Sequence, residues 1–365
     1  MIDWLTISIP FEHPTVNGGR LLKTDSAGCI EWECRSKLVH RGTYSSAIAV
    51  RSEGAVPGRP GWSDRLFIDG NLTKFLQGHN VCGPDCVATI VTEAFVLLCR
   101  ELGIPYSVFD VYRVSRGAWD LKRIDITYSF RVGYDDLAVD NFLAAVGDTA
   151  STKYRRAHTD RGTAYFNKGS RRWSSAWYNK AKEMKKHKPP MPDHVRCWLY
   201  ARSGSCRPRS LDSRVWGQLV EAIRGCVRVE FRLLSLQLKD MSLSDGSFWC
   251  SSFGRSGRCV YDVWCEMMSR ISVSGNVRLS GDKLADLPGP VRGTYELWRS
   301  GVSVRELLSR ATFYRHKKIL REHGIDLDAE IRETATVIPI VRYLEAHPER
   351  VSIPADAAGL LRAVG

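Results

Sequence analysis

No phosphate-cradling GxxxxGK[ST] run occurs anywhere in these 365 residues, which argues against a P-loop ATPase. The 11 cysteines contain no CxxC pair. Cys82 and Cys86 are separated by three residues and Cys29 and Cys34 by four, neither of which is a convincing zinc spacing. An odd number of cysteines, with no basic start and no small-residue cleavage site at the first residues, predicts free thiols in a reducing cytoplasm. Long apolar runs are missing too. The longest, Ala94 to Cys99, is bounded by Glu93 and Arg100, so no membrane span is expected.

What the chain does have is positive charge. Lys and Arg number 53 against 40 Asp and Glu, a formal net charge of +13, and the expected partner is a polyanion, nucleic acid first of all. Hydrophobic residues make up 44%, enough for real cores, and the length allows two or three domains.

The richest chemistry lies in residues 162 to 183, GTAYFNKGSRRWSSAWYNKAKE. As a strand, this segment would place Tyr178 and Lys180 on one face. An ammonium beside a phenol favours the phenolate and makes a nucleophile. Lys168, Arg171, Arg172 and Lys182 add cations suited to a phosphate backbone. An amphipathic packing tyrosine with a bonded hydroxyl would produce the same local pattern.

Two further segments alternate strictly. In LKRIDITYSF (121 to 130), Arg123, Asp125, Thr127 and Ser129 oppose Ile124, Ile126, Tyr128 and Phe130. In VRVEFRL (227 to 233), Arg228, Glu230 and Arg232 oppose Val227, Val229, Phe231 and Leu233. Both read as half-buried strands with an acid on the polar face. If they are neighbours in one sheet, Asp125 and Glu230 converge as ligands for a hard divalent cation. Arginine and acid ladders on a solvated face would show the same alternation.

The rest of the chain reads as α+β. Trp4 to Ile9 and Ser46 to Arg51 alternate as strands. Asp85 to Leu102, Asp135 to Val146 and Val215 to Arg224 have helical periodicity, and KKHKPPMPDH (185 to 194) reads as a basic linker or loop. Residues 295 to 326 read as two helices around a short turn. Val302 or Val304, Leu307 and Leu308 would pack the first and Phe313, Ile319 and Leu320 the second, with Thr312 as N-cap. The second helix, Thr312 to Arg321, would present Tyr314, Arg315, His316, Lys317, Lys318 and Arg321 to a major groove.

Taken together, FLQGHNVCG (75 to 83), RIDITYSF, GTAYFNKGSRRW, AWYNKAKE and VRVEFRL resemble the gene II replication initiators of filamentous bacteriophages. The opening MIDWLTISIPF and VIPIVRYL (337 to 344) extend the resemblance over most of the chain. It implies a rolling-circle nickase: a metal-dependent, strand-specific DNA endonuclease and strand transferase. In that reading Tyr178 is the nucleophile, Lys180 its basic neighbour, and Asp125 and Glu230 the acidic positions.

Many such enzymes hold their metal with two histidines separated by one residue, and none of the nine histidines here has that spacing. Carboxylates, with Glu183 as a third candidate, would suit Mg²⁺ or Mn²⁺. His79 either adds a ligand or caps a turn. Arg123, Arg171 and Arg172 are the expected phosphate binders. The implied partners are single-stranded and duplex origin DNA and the host replication machinery, including a helicase because the chain has no ATP motif; self-association is left open.

The expected architecture is an antiparallel-sheet nickase core, with two related halves suggested by the resemblance, and a helix-turn-helix-like C-terminal region. The expected divisions are 1–120, 121–240 and 241–365. Two other readings stay open at this level: a sequence-specific DNA-binding regulator whose nickase core has decayed, and a transposase using the acids for hydrolysis without a tyrosyl intermediate.

Overall fold

The computed structural model describes residues 1–40, 47–153, 155–186, 213–250, 257, 259–273, 287–300, 302–322, 325, 327 and 328. The 337 to 344 segment and most of the 185 to 194 segment lie outside them.

Alternation of aliphatic and polar residues builds one large antiparallel sheet. Its strands are β1 (Ile2–Pro14), β4 (Leu38–His40), β5 (Ile48–Glu53), β6 (Trp62–Gly70), β7 (Asp120–Arg131), β9 (His158–Asp160), β10 (Thr163–Phe166), β11 (Trp173–Asn179) and β12 (Cys226–Leu234). The order across the sheet is β4-β5-β6-β1-β7-β12-β11-β10-β9. A hairpin, β2 (Arg20–Thr24) and β3 (Ile30–Arg35), and a small pair, β8 (Ala150–Thr152) with β13 (Ile271–Val273), stand apart from it.

Each half of the sheet is wound in the same way. From the centre outward the first half runs β1, β6, β5, β4 and the second β7, β12, β11, β10. In both, the first strand in sequence is central and the last lies next to it. The two central strands pair antiparallel, so an approximate twofold axis passes between β1 and β7.

Helices cover one face. These are α1 (Leu72–Gln77), α2 (Val87–Glu101), α4 (Asp136–Thr149), α7 (Ser235–Asp240) and α8 (Val260–Met268), with α3 (Val108–Ser115), α5 (Lys180–Lys186) and α6 (Ser213–Ala222) completing the layer and its ends. α2 buries Val87, Ile90, Val91, Ala94, Phe95 and Leu98, the residues whose spacing predicted it. It meets Leu5, Ile7, Ile9, Leu66 and Ile68 in a core that continues across the midline to Ile124, Val229, Phe231 and Trp177. The opposite face carries Trp4, Thr6, Phe67, Asp69, Arg123, Asp125, Tyr178, Glu230 and Arg232, with polar residues predominating.

The core departs from the expected divisions. Residues 1–120 and 121–240 share a single sheet, so no boundary falls between them. Leu243, Trp249, Val260, Val263, Trp264, Met267 and Ile271 belong to the same core, which carries the sheet unit past residue 240 to β13. Trp264 donates from Nε1 to the Val229 carbonyl at 3.4 Å and so ties α8 to β12.

The C-terminal helices α9 (Gly289–Arg299), α10 (Val304–Leu307) and α11 (Arg310–Glu322) form a second core from Leu287, Val291, Tyr295, Trp298, Val304, Phe313 and Leu320. The expected helix pair is therefore three helices, the middle one a single turn. Ser309, rather than Thr312, caps α11: its hydroxyl oxygen accepts from the Thr312 N–H at 3.3 Å. Leu307 is exposed instead of packed, and His316 is buried, its Nδ1 2.7 Å from the Thr294 hydroxyl.

Candidate active site

The pairing of β7, β12 and β11 places the expected acids and the tyrosine together. Glu230 lies opposite Thr127 on one side and Ala176 on the other; Arg232 lies opposite Asp125, and Arg228 opposite Tyr178 and Ser129. All point to the open face. A cleft of about 370 Å³ is lined there by Asp125, Glu230, Arg123, Arg232, Tyr178, Lys180 and Glu183, together with Asp3 and Trp4 of β1 and Asn71, Lys74 and Asn80 of α1 and its flanks.

The geometry has elements of both readings of the alternating strands. The acids converge, and they also form ladders. Arg123 donates from Nε and Nη2 to the two oxygens of Asp125 at 2.8 and 2.6 Å, and Arg232 adds a bond from Nε at 3.2 Å. Arg232 reaches Glu230 less closely, at 3.7 Å. Burial, with the negative charges of Asp125 and Asp3 adding to it, raises the Glu230 carboxyl to about 8.

Tyr178 and Lys180 share the cleft for a different reason from the one expected. β11 ends at Asn179, and Lys180 opens α5, so a strand-to-helix turn brings them together, not strand alternation. The phenol is also not activated at rest. Burial pushes it well above its ordinary value, and the opposing cation is Arg228, its cross-strand partner. Lys180 is itself buried, which lowers its pKa, and its ammonium is engaged by Glu183. The expected pairing of this ammonium with the phenol gives way to an ion pair with the next turn of the same helix. Glu183 thus reaches the cleft, but as the partner of Lys180.

Sequence reasoning passed over the N-terminal contribution. Asp3 accepts from the side-chain amides of Asn71 at 2.7 Å and Asn80 at 2.8 Å. The Asn80 carbonyl accepts from Arg228 Nη1 at 2.5 Å, and Thr127 Oγ1 accepts from Arg228 Nη2 at 2.9 Å. This mesh locks the loop after α1 against β12 and buries the Arg228 guanidinium completely. Gly78 makes the loop possible by closing α1 with φ near 80°, a conformation that penalises any side chain. The clue available in the sequence was the IDWLT of β1, an echo of the RIDIT of β7.

His79 lies beside this mesh. Burial, then the charges of Lys180, Arg228 and Lys74, lowers its pKa to about 3, and its Nδ1 accepts from the Val81 N–H at 3.4 Å. It is a neutral turn-capping histidine.

Other expected residues lie elsewhere. Arg171 and Arg172 precede β11 at the end far from Tyr178, about 20 Å away along an extended strand. Arg172 is paired with Asp240, and both line a separate cleft of about 810 Å³. Lys168 stacks over the Tyr165 ring at 4.6 Å. Lys182 pairs with Asp140. On α11, Lys317 pairs with Asp328 of the same C-terminal region, and Arg321 donates to Ser151 Oγ of β8 at 3.2 Å, whereas Tyr314, Arg315 and Lys318 are exposed.

Among the described residues no three His, Cys, Asp or Glu side chains form a preassembled metal cage. The donor set nevertheless suits a hard divalent cation. Glu230 is a half-buried carboxyl crowded by Asp125 and Asp3, and Mg²⁺ commonly takes only one or two protein carboxylates, with water and substrate phosphate completing its shell. Among the described residues no helix is long and apolar enough to cross a membrane.

The family model for the N-terminal part of the phage gene II replication-associated protein matches residues 1–252, and the model for its C-terminal part matches residues 279–355. The replication-associated protein of this kind from Enterobacteria phage I2-2 is 34% identical over 99% of this chain and 97% of its own length. That of Salmonella phage IKe is 27% identical over 74% of this chain and 70% of its own, and that of Enterobacteria phage fd is 27% identical over 63% and 54%. A solved rolling-circle replication initiator protein from Geobacillus stearothermophilus aligns over 91% of this chain and 98% of its own at 11% identity, with a TM-score of 0.33, too loose a likeness to inform the fold.

Proposed function

Because the chain belongs to the phage gene II family of replication-associated proteins, we propose that it initiates rolling-circle replication by nicking the viral strand at the origin through a tyrosyl–DNA intermediate. The observation that carries this reading is the cleft in which Tyr178 lies among Glu230, Asp125, Lys180 and Lys74.

The Tyr178 oxygen attacks the scissile phosphorus and loses its proton. The bond from phosphorus to the 3′ oxygen breaks, and that oxygen takes up a proton to leave a 3′ hydroxyl that primes synthesis. The 5′ phosphate remains on Tyr178 as a phosphodiester. The step exchanges one such bond for another, so reversal by a later 3′ hydroxyl closes the displaced circle without a nucleoside triphosphate.

Lys74, Lys180 and Arg123 line the cleft as cations suited to the non-bridging phosphate oxygens. Arg228 opposes the burial that keeps the phenol protonated. Glu230 and Asp125 would hold Mg²⁺ or Mn²⁺, which supplies charge neutralisation at the phosphate. Origin DNA is the macromolecular partner, with a host helicase needed for further unwinding, and the reaction belongs to the bacterial cytoplasm.

The test is to trap protein covalently joined to an origin oligonucleotide. Tyr178→Phe is expected to bind the oligonucleotide and form no adduct. An undiminished adduct in that variant would sink the assignment.

A further inference from the structure

The two half-sheets repeat more than their winding. Across the second half one cross-strand row reads Thr127, Glu230, Ala176, and the row two residues on reads Ser129, Arg228, Tyr178. Across the first half the equivalent rows read Thr6, Asp69, Ala49, then Ser8, Phe67, Arg51. Threonine, acid and alanine recur in order, and serine recurs at the head of the next row. The divergence falls at the chemical positions: Phe67 stands where Arg228 does, and Arg51 stands where the nucleophile Tyr178 does.

This second copy is unsuited to cleavage. Asp69 accepts from Trp4 Nε1 at 2.9 Å, Thr6 Oγ1 at 2.7 Å and Lys37 Nζ at 3.0 Å, and these contacts hold its carboxyl below the usual range despite burial. What it does offer is aromatic surface with cations attached. Arg51 lies 4.3 Å and Lys37 5.2 Å from the Phe67 ring centre, and Arg123 lies 4.6 Å from the Trp4 ring. All four side chains that frame it, Arg51, Lys37, Phe67 and Trp4, are partly exposed on the face that carries Tyr178. Trp4 and Arg123 line the catalytic cleft itself, so the two regions are continuous.

We propose that the β1–β6–β5 half is a non-catalytic duplicate of the nicking site that has become a stacking platform for single-stranded DNA, holding the strand where it leaves the Tyr178 cleft. Aromatic rings with guanidinium neighbours bind bases irrespective of sequence. The inference rests on the reading that the cleft takes single-stranded DNA.

The test measures the affinity of the full chain for oligothymidylates of increasing length, from about 4 to about 16 nucleotides. In the wild type, affinity is expected to climb until both half-sheets are covered. In Phe67→Ala the affinity for the longest oligonucleotide is expected to fall roughly 5- to 150-fold, the loss of one stacked base, and the climb to flatten. Phe67→Tyr, which keeps the ring, is expected to restore it. Phe67→Leu keeps most of the volume without the ring and provides the same reading should the alanine variant not fold. Equal affinities for the long oligonucleotide in wild type and the ring-less variants would overturn the proposal. Failure of the wild type to form an adduct at Tyr178 would sink the nicking reading instead, and the length dependence would still decide this one.

Discussion

Glu230 binds a proton in the native cleft at pH values where a free carboxyl has already lost it, because burial and the neighbouring Asp125 and Asp3 oppose its charge. Its native value of about 8 exceeds the ordinary 4.5, so the native state holds more protons than the unfolded chain between these limits, and this residue makes stability fall as pH rises through that window. His79 acts in the opposite direction. Its native value of about 3 lies below 6.5, so the neutral imidazole stabilises fully above pH 6.5 and this contribution is lost as pH falls. Thermal melts of Glu230→Gln against wild type, without added metal, are expected to show a smaller loss of Tm between about pH 5.5 and about pH 8 in the variant. An unchanged loss would mean that Glu230 is already ionised. Glu230→Gln and Asp125→Asn are each expected to lower nicking by at least about 10- to 100-fold, the range that even the outer-shell partners of a metal cost. Lys180→Ala is expected to weaken substrate binding without displacing the pH profile of the nicking rate, since its ammonium is engaged by Glu183 and does not set the phenol pKa. A profile displaced to higher pH would return Lys180 to the role of activating the phenol.

Among the strands and helices, β11 positions the candidate nucleophile by burying its other face. Trp177 is fully buried among Phe130, Phe142 and Phe166, with ring centres 6.2, 6.5 and 5.4 Å away, and Tyr178 points the opposite way because strand side chains alternate. Trp177→Ala is expected to cost about 3 to 5 kcal/mol of stability in chemical denaturation, as large aromatic truncations do. The basic helix α11 divides its cations between two tasks. Arg315 and Lys318 face outward, whereas Lys317 and Arg321 bond Asp328 and Ser151. If α11 contacts duplex DNA, Arg315→Ala and Lys318→Ala are each expected to reduce the salt slope of duplex binding by about one where a phosphate contact is lost. The same substitution at Lys317 or Arg321 is expected to leave that slope unchanged.

Across the full chain, the single core beneath the sheet sets where the protein can be cut. A fragment ending near Asp240 would lose Trp249, Val260, Trp264 and Met267 from beneath the sheet, whereas one ending at Val273 keeps them and the β8–β13 pair. The longer fragment is expected to melt cooperatively and to form an adduct with single-stranded origin DNA, and the shorter to be unfolded or aggregated. Circular dichroism and adduct trapping on the two fragments check this. A folded, active shorter fragment would show that α8 is dispensable to the core.

The strand faces, and therefore the acids, were legible in the letters. The period of two in RIDITYSF and VRVEFRL sorts side chains by local geometry alone, and the family resemblance tied Tyr178 to them. The same is true of α2, whose apolar stripe has only one helical reading. What each group in the cleft touches was settled by folding. Asp3, Asn71, Lys74 and Asn80 come from the first 80 residues and reach Asp125 only because β1 pairs with β7. The engagement of Lys180 by Glu183, the distance of Arg172 from Tyr178 and the pairing of Lys317 with Asp328 and of Arg321 with Ser151 likewise follow from where strands end and helices pack. Charge and periodicity are written residue by residue. Protonation and partnership depend on burial and on neighbours brought from distant parts of the chain, which is why the candidate nucleophile could be read from the sequence and its elevated pKa could not.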